Sequence, residues 1–141
     1  MVQEFCDFVE CARFNELEEM KAMYVNPIEA KDNRGNTALH MAAANGHIEI
    51  IKYLLELNST KQFLDAQNDN LNTALHWATL NGHVDVVSRL LKAGASVLIK
   101  NDQEKTPFYE AENRGFAEIV SLMEEMVPEN EAEEELQKLG I

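Results

Sequence analysis

Apolar residues recur along this chain in short helical stripes separated by polar turns, and the stripes come in pairs. Leu39 and Ala42 lie three positions apart, so both fall on one face of a helix; Leu75 with Ala78 and Phe108 with Ala111 repeat the arrangement. Gly46, Gly82 or Gly115 then stops the helix, because glycine enters the left-handed backbone region without a Cβ penalty. A second stripe follows at once, Ile48, Ile51, Leu54 and Leu55 in one copy and Val84, Val87, Leu90 and Leu91 in the next. Thr37, Thr73 and Thr106 stand where an N-cap belongs, and Pro107 takes the first helical position, where no backbone donor is needed. The pattern predicts an all-α chain of about four helix-turn-helix units.

The units repeat in sequence as well as in pattern. TALHMAAANGHIEII (Thr37–Ile51) and TALHWATLNGHVDVV (Thr73–Val87) agree at T, A, L, H, A, N, G and H. A third copy, TPFYEAENRGFAEIV (Thr106–Val120), keeps the threonine, the alanine, Asn113, Gly115 and an acidic residue. A fainter one runs from Cys11 to Tyr24, with Asn15 at the glycine position, a residue that also tolerates a left-handed turn. One hairpin cannot bury its stripe alone, so such units stack into a solenoid. Units are expected near 5–26, 33–60, 69–98 and 102–127, in one domain over residues 1–128, followed by an acidic tail over 129–141.

The ends are expected to act as caps. The first unit would turn Leu17, Met20, Met23 and Tyr24 inward and Glu16, Glu18 and Glu19 outward, while Glu124 replaces the Leu55/Leu91 position of the last outer helix. Two irregularities are expected. The stretch Leu57–Ala66 carries extra residues that should bulge from the convex side or from one end, and Leu71 and Glu104 stand where Gly35 does, which suggests less regular turns.

A period near 33 residues opening on T-P-L-H-x-A is the mark of the ankyrin repeat, and the chain resembles that family at Thr37–Ala42, Thr73–Ala78 and Thr106–Ala111. The resemblance implies a concave side lined by loop tips and by first-helix positions that do not pack into the stack. In this sequence the expected partner-binding residues are Arg34, Asn36, Met41, Asn45, Asp69, Asn70, Asn72, Trp77, Leu80, Asn81, Asp102, Glu110, Asn113 and Arg114. Met41, Trp77 and Leu80 would form an apolar centre flanked by Asp69, Asp102 and Glu110, and aromatic anchors inside a polar rim are what binding hot spots are made of.

Charge narrows the partner. With 12 Lys+Arg against 25 Asp+Glu the chain carries −13, a surface that repels phosphate backbones and favours a basic protein. No direct nucleic-acid contact is expected, no apolar run approaches a membrane span, and a monomer is expected when no partner is bound. The two cysteines, Cys6 and Cys11, have neither redox nor zinc spacing and read as core or half-buried thiols.

Catalysis and metal binding both need converging groups, and the histidines do not offer them. His40 and His76 occupy one repeat position and His47 and His83 another, so translation spreads them along rows. They read instead as ties between loops and helix starts. No phosphate loop or hydrolase motif occurs. Neither enzyme activity, metal nor cofactor is expected.

Beyond the general family, TALHMAAANGHIE, TALHWATLNGH and EAENRG together resemble a lineage of small fungal ankyrin-repeat proteins that act as dedicated chaperones of small-subunit ribosomal protein number three. That resemblance covers residues 5–127. It implies capture of a basic, aggregation-prone client, escort from cytoplasm to nucleus, with import factors as further partners, and release during subunit assembly. The alternative is an adaptor or inhibitor of a kinase or transcription factor.

Overall fold

A computed structural model describes residues 2–126, with the side chains of residues 2, 3, 5 and 6 left aside. The acidic tail expected over 129–141 lies outside the described residues. The helices are α1 (Val2–Arg13), α2 (Leu17–Lys21), α3 (Ala38–Asn45), α4 (Ile48–Leu57), α5 (Lys61–Leu64), α6 (Ala74–Leu80), α7 (Val84–Ala93), α8 (Pro107–Asn113) and α9 (Ala117–Glu124). No strand occurs among the described residues. First helices stack on first helices, α1 on α3, α3 on α6 and α6 on α8, while α4, α7 and α9 form the second row. This is an all-α ankyrin solenoid.

Each hairpin forms for the reasons its residues dictate. The hydroxyls of Thr37, Thr73 and Thr106 accept from the backbone N–H three residues on, at 3.4, 3.3 and 3.0 Å. Gly46, Gly82 and Gly115 sit at φ of 73°, 69° and 71°, and Asn15 does the same work at 61°. The turn closes identically in all four units, by an N–H reaching back five residues: Glu16 to Cys11, His47 to Ala42, His83 to Ala78 and Phe116 to Ala111, at 2.8 to 3.0 Å. Small residues at the receiving positions let neighbouring helices approach closely, and Ala42, Ala78 and Ala111 are fully buried. On the second helices Ile51, Leu54, Val87 and Leu90 are buried as the stripe requires, joined by Ile50, Val86 and Ile119 at one shared repeat position.

Three expectations need correcting. Tyr24 does not turn inward: it is 99% exposed, because α2 ends at Lys21 and leaves the chain beyond it without a helical face, while Met20 alone of the expected set is fully buried. The segment after Leu57 does not bulge. Thr60 caps a single helical turn, α5, which drives Phe63 and Leu64 into the core, and Lys61 Nζ anchors it to the carbonyl of Gly94 at 2.9 Å. The turns at Leu71 and Glu104 are as regular as the first. Their φ values of 62° and 63° match the 76° of Gly35, and Leu71 N–H and Glu104 N–H close the same turns at 2.9 and 3.0 Å as Gly35 N–H does at 3.1 Å. The surrounding hydrogen bonds over-determine the backbone, so residues with side chains are held where glycine would sit freely. Glu124 is exposed as expected.

Candidate partner-binding groove

The loops are built on a carboxyl or carboxamide at their first position. Asp32 Oδ1 accepts from the backbone N–H of Arg34 and Asn36, both at 2.9 Å. Asn68 Oδ1 does so for Asn70 and Asn72, and Asn101 Oδ1 for Gln103 and Lys105, at 3.0 to 3.1 Å. Successive loops are then pinned to one another. Asn68 Nδ2 donates to Asn36 Oδ1 at 2.8 Å and Asn101 Nδ2 to Asn72 Oδ1 at 3.0 Å. Asp69 N–H donates to the carbonyl of Arg34 and Asp102 N–H to that of Asn70, each at 3.0 Å. A rigid polar wall results.

The histidines complete that wall. His40 Nδ1 accepts from Thr37 N–H at 3.1 Å, which leaves the proton on Nε2, and Nε2 donates to the carbonyl of Asn72 in the next loop at 2.8 Å. His76 repeats both bonds, with Thr73 N–H at 3.0 Å and the carbonyl of Lys105 at 3.0 Å. Burial pushes His40 down to about 4 and also lowers His76, so both rings are neutral ties. His47 and His83 reach backwards instead, Nε2 to the carbonyls of Arg13 and Ala44, each at 3.0 Å. Among the described residues no group of three His, Cys, Asp or Glu could hold a metal ion. Cys11 is buried, and that burial, with Glu16 beside it, raises its thiol; the side chain of Cys6 lies outside the description.

Between the loop wall and the first helices runs a groove of about 920 Å³. It brings together twelve of the expected partner-binding residues: Arg34, Asn36, Met41, Asn45, Asn70, Asn72, Trp77, Leu80, Asp102, Glu110, Asn113 and Arg114. Met41, Trp77 and Leu80 are half-buried and form its apolar floor. The indole Nε1 of Trp77 is enclosed without a hydrogen-bond partner. Asn36 and Asn72 lie on the wall, where the carboxamide oxygen of each accepts from the next loop, and Asn36 is only 6% exposed.

Two expected residues fall outside the groove. Asp69 lies over the preceding loop, where a Cβ on Gly35 would come within 2.6 Å of its Oδ1. Leu71 stands at the position of Gly35 one repeat later, and there Asp102 accepts from Asn70 Nδ2 at 3.0 Å. Asn81, an exposed residue, donates through Nδ2 to the carbonyl of Ala44 at 3.0 Å and fastens α6 to α3.

Residues that sequence reasoning missed also line the groove, chiefly Glu10, Arg13 and Asp32. Glu10 was legible: it stands five residues before Asn15, as Met41 and Trp77 stand five before Gly46 and Gly82. The electrostatics differ from expectation too. Glu10, Asp32, Asp102 and Glu110 face Arg13, Arg34, Lys105 and Arg114, so the lining is balanced and the −13 of the chain resides elsewhere.

Comparison with known proteins agrees with this architecture. The family model for ankyrin repeats (three copies) matches residues 8–101. An ankyrin repeat-containing protein of Schizosaccharomyces pombe is 44% identical over 106 residues, which cover 75% of this chain and 72% of that relative. The mouse mitochondrial liver-isoform glutaminase is 44% identical over 43 residues, which cover 30% of this chain but only 7% of the enzyme. That short match carries no activity across. Among the described residues no helix is long and apolar enough to cross a membrane. With the repeats, the loop ladder and the groove in place, the chain belongs to the ankyrin repeat family and is a protein-interaction module.

Proposed function

We propose that this module is the dedicated chaperone of a basic protein, small-subunit ribosomal protein number three being the client that the sequence resemblance favours. The observation that carries the reading is the apolar Met41–Trp77–Leu80 floor on a chain of net charge −13. An apolar centre excludes water from a bound segment, and the surrounding negative field speeds encounter with a cationic chain and shields it from nucleic acid. Escort from cytoplasm to nucleus, with import factors joining, belongs to the same reading.

The test is binding of the purified ribosomal protein to the chain and to its Trp77→Ala form. Loss of about 2 kcal/mol or more, roughly thirtyfold in affinity, is expected, with the melting temperature little changed. A variant that binds normally but melts early would overturn the reading. Affinity should also weaken from 0.1 M to 1 M salt as the screening length falls from about 10 to about 3 Å. The balanced groove lining favours a second reading, an adaptor or inhibitor of a kinase or transcription factor, for which affinity would be nearly independent of salt.

A further inference from the structure

The groove floor has a register that the loops alone do not reveal. The identical turn closures make Cys11, Ala42, Ala78 and Ala111 equivalent. The residues just before them, Glu10, Met41, Trp77 and Glu110, therefore form one row across all four units. The backward ties agree at the first end, since His47 meets Arg13 as His83 meets Ala44. Two apolar side chains in the middle are thus bracketed by a carboxylate at each end.

These two carboxylates hold their cations loosely, Glu10 at the surface and Glu110 with only 7% of its surface exposed. Asp32 Oδ1 accepts from two backbone N–H groups and its Oδ2 accepts from Asn36 Nδ2 at 3.2 Å. Asp102 shares Oδ2 with Asn70. Glu10 meets Arg13 only at 3.6 Å and Glu110 meets Arg114 only at 3.5 Å, well beyond the 2.7–2.9 Å of a strong charge-assisted bond. Arg13 and Lys105 are drawn toward rings of their own, Phe14 at 5.4 Å and Tyr109 at 5.5 Å.

We infer that the groove selects a linear segment of a basic protein with a cationic side chain at each end, one seated at Glu10 and the other at Glu110. Apolar side chains between them rest on Met41, Trp77 and Leu80. This rests on the reading that the groove holds a basic partner, and deepens it to a spacing rule. Packed helices lie roughly 8–10 Å apart, so three steps put the two carboxylates roughly 25–30 Å apart. An extended segment crosses that distance in roughly eight or nine residues at about 3.3 Å each.

The experiment uses the full chain and synthetic peptides, labelled with fluorescein and free of tryptophan, that carry two arginines at each end. Their spacers, of leucine and serine, are about four, nine or fourteen residues long. Trp77, the only tryptophan, reports entry into the groove by its emission, and label anisotropy gives the affinity. The nine-residue spacer should bind at least about tenfold tighter than the four-residue one. Glu10→Gln and Glu110→Gln should each remove that preference while circular dichroism stays unchanged. Affinity that follows total charge regardless of spacing, or no binding by any peptide, would overturn the inference. Failure here is separable from failure of the proposed function. If the ribosomal protein is lost by Trp77→Ala but retained by the double Glu10→Gln, Glu110→Gln variant, the spacing rule falls and the chaperone reading stands. Retention by both sinks both.

Discussion

The third and fourth repeat units start alike and end differently. Thr73 and Thr106 both cap their helices, yet His76 follows one and Tyr109 the other at the same position. His76 ties its own helix start to the carbonyl of Lys105 in the next loop. After Tyr109 no further loop follows among the described residues, and its ring lies beneath Lys105 instead. The backward tie shows the same contrast. His83 bonds the carbonyl of Ala44, whereas Phe116 packs under Gly82, where a Cβ would lie 3.5 Å from its ring. A hairpin therefore forms without histidine. The histidines belong to stacking, and each is present only where there is a neighbour to bond.

The largest effect should come from removing a forward tie. His40→Ala would leave Thr37 N–H unpartnered in the interior and take from the Asn72 carbonyl one of its two donors, the other being Asn68 N–H, alongside a cavity, and should cost about 3 kcal/mol in chemical denaturation. The same ring should make stability depend on pH. Unfolded, His40 titrates near 6.5, and folded at about 4. Between those values only the unfolded chain takes up the proton. The contribution is complete above pH 6.5 and should fall by about 3 kcal/mol as pH drops toward 4. His76, shifted in the same direction, adds to the loss. Denaturation midpoints for both proteins across this range check it, the slope being smaller in His40→Ala.

The next contrast is between loops. Leu71→Gly should stabilise the chain by about 1 kcal/mol, because it relieves a left-handed leucine. Gly35→Ala should destabilise it by more, since its Cβ would meet Asp69 as well as the unfavourable φ. Paired melting curves would show shifts of opposite sign. Smallest of all is Tyr109→His, expected to lie within about 0.5 kcal/mol of the parent. A large gain in its melting temperature would mean that an imidazole finds an acceptor there without a following loop, and would break the contrast between central and terminal repeats.

Local pattern was enough for much of the molecule. The threonine caps, the glycine turns and the paired stripes each act within a few residues, so spacing alone reveals them, as it does the equivalence of Trp77 with Met41. It failed where the outcome depends on what lies one repeat away. Tyr24 is apolar in spacing but has no helix beneath it, and Phe63 is buried because α5 forms and docks near Gly94. Asp69 and Asp102 occupy one repeat position, yet the Asp69 carboxylate lies over Gly35 while Asp102 accepts from Asn70 Nδ2, and both neighbours belong to the preceding loop.

By itself, then, the sequence determined the repeat, its helices and its caps. The tertiary structure decided which polar groups remain for a partner. Asn36, Asn72 and Asn81 each give an amide group to a neighbouring repeat, while Glu10 and Glu110 hold their cations loosely at the two ends of the floor. The reason is physical: a buried amide must be satisfied by whatever lies across the stack, and only stacking brings that neighbour to it.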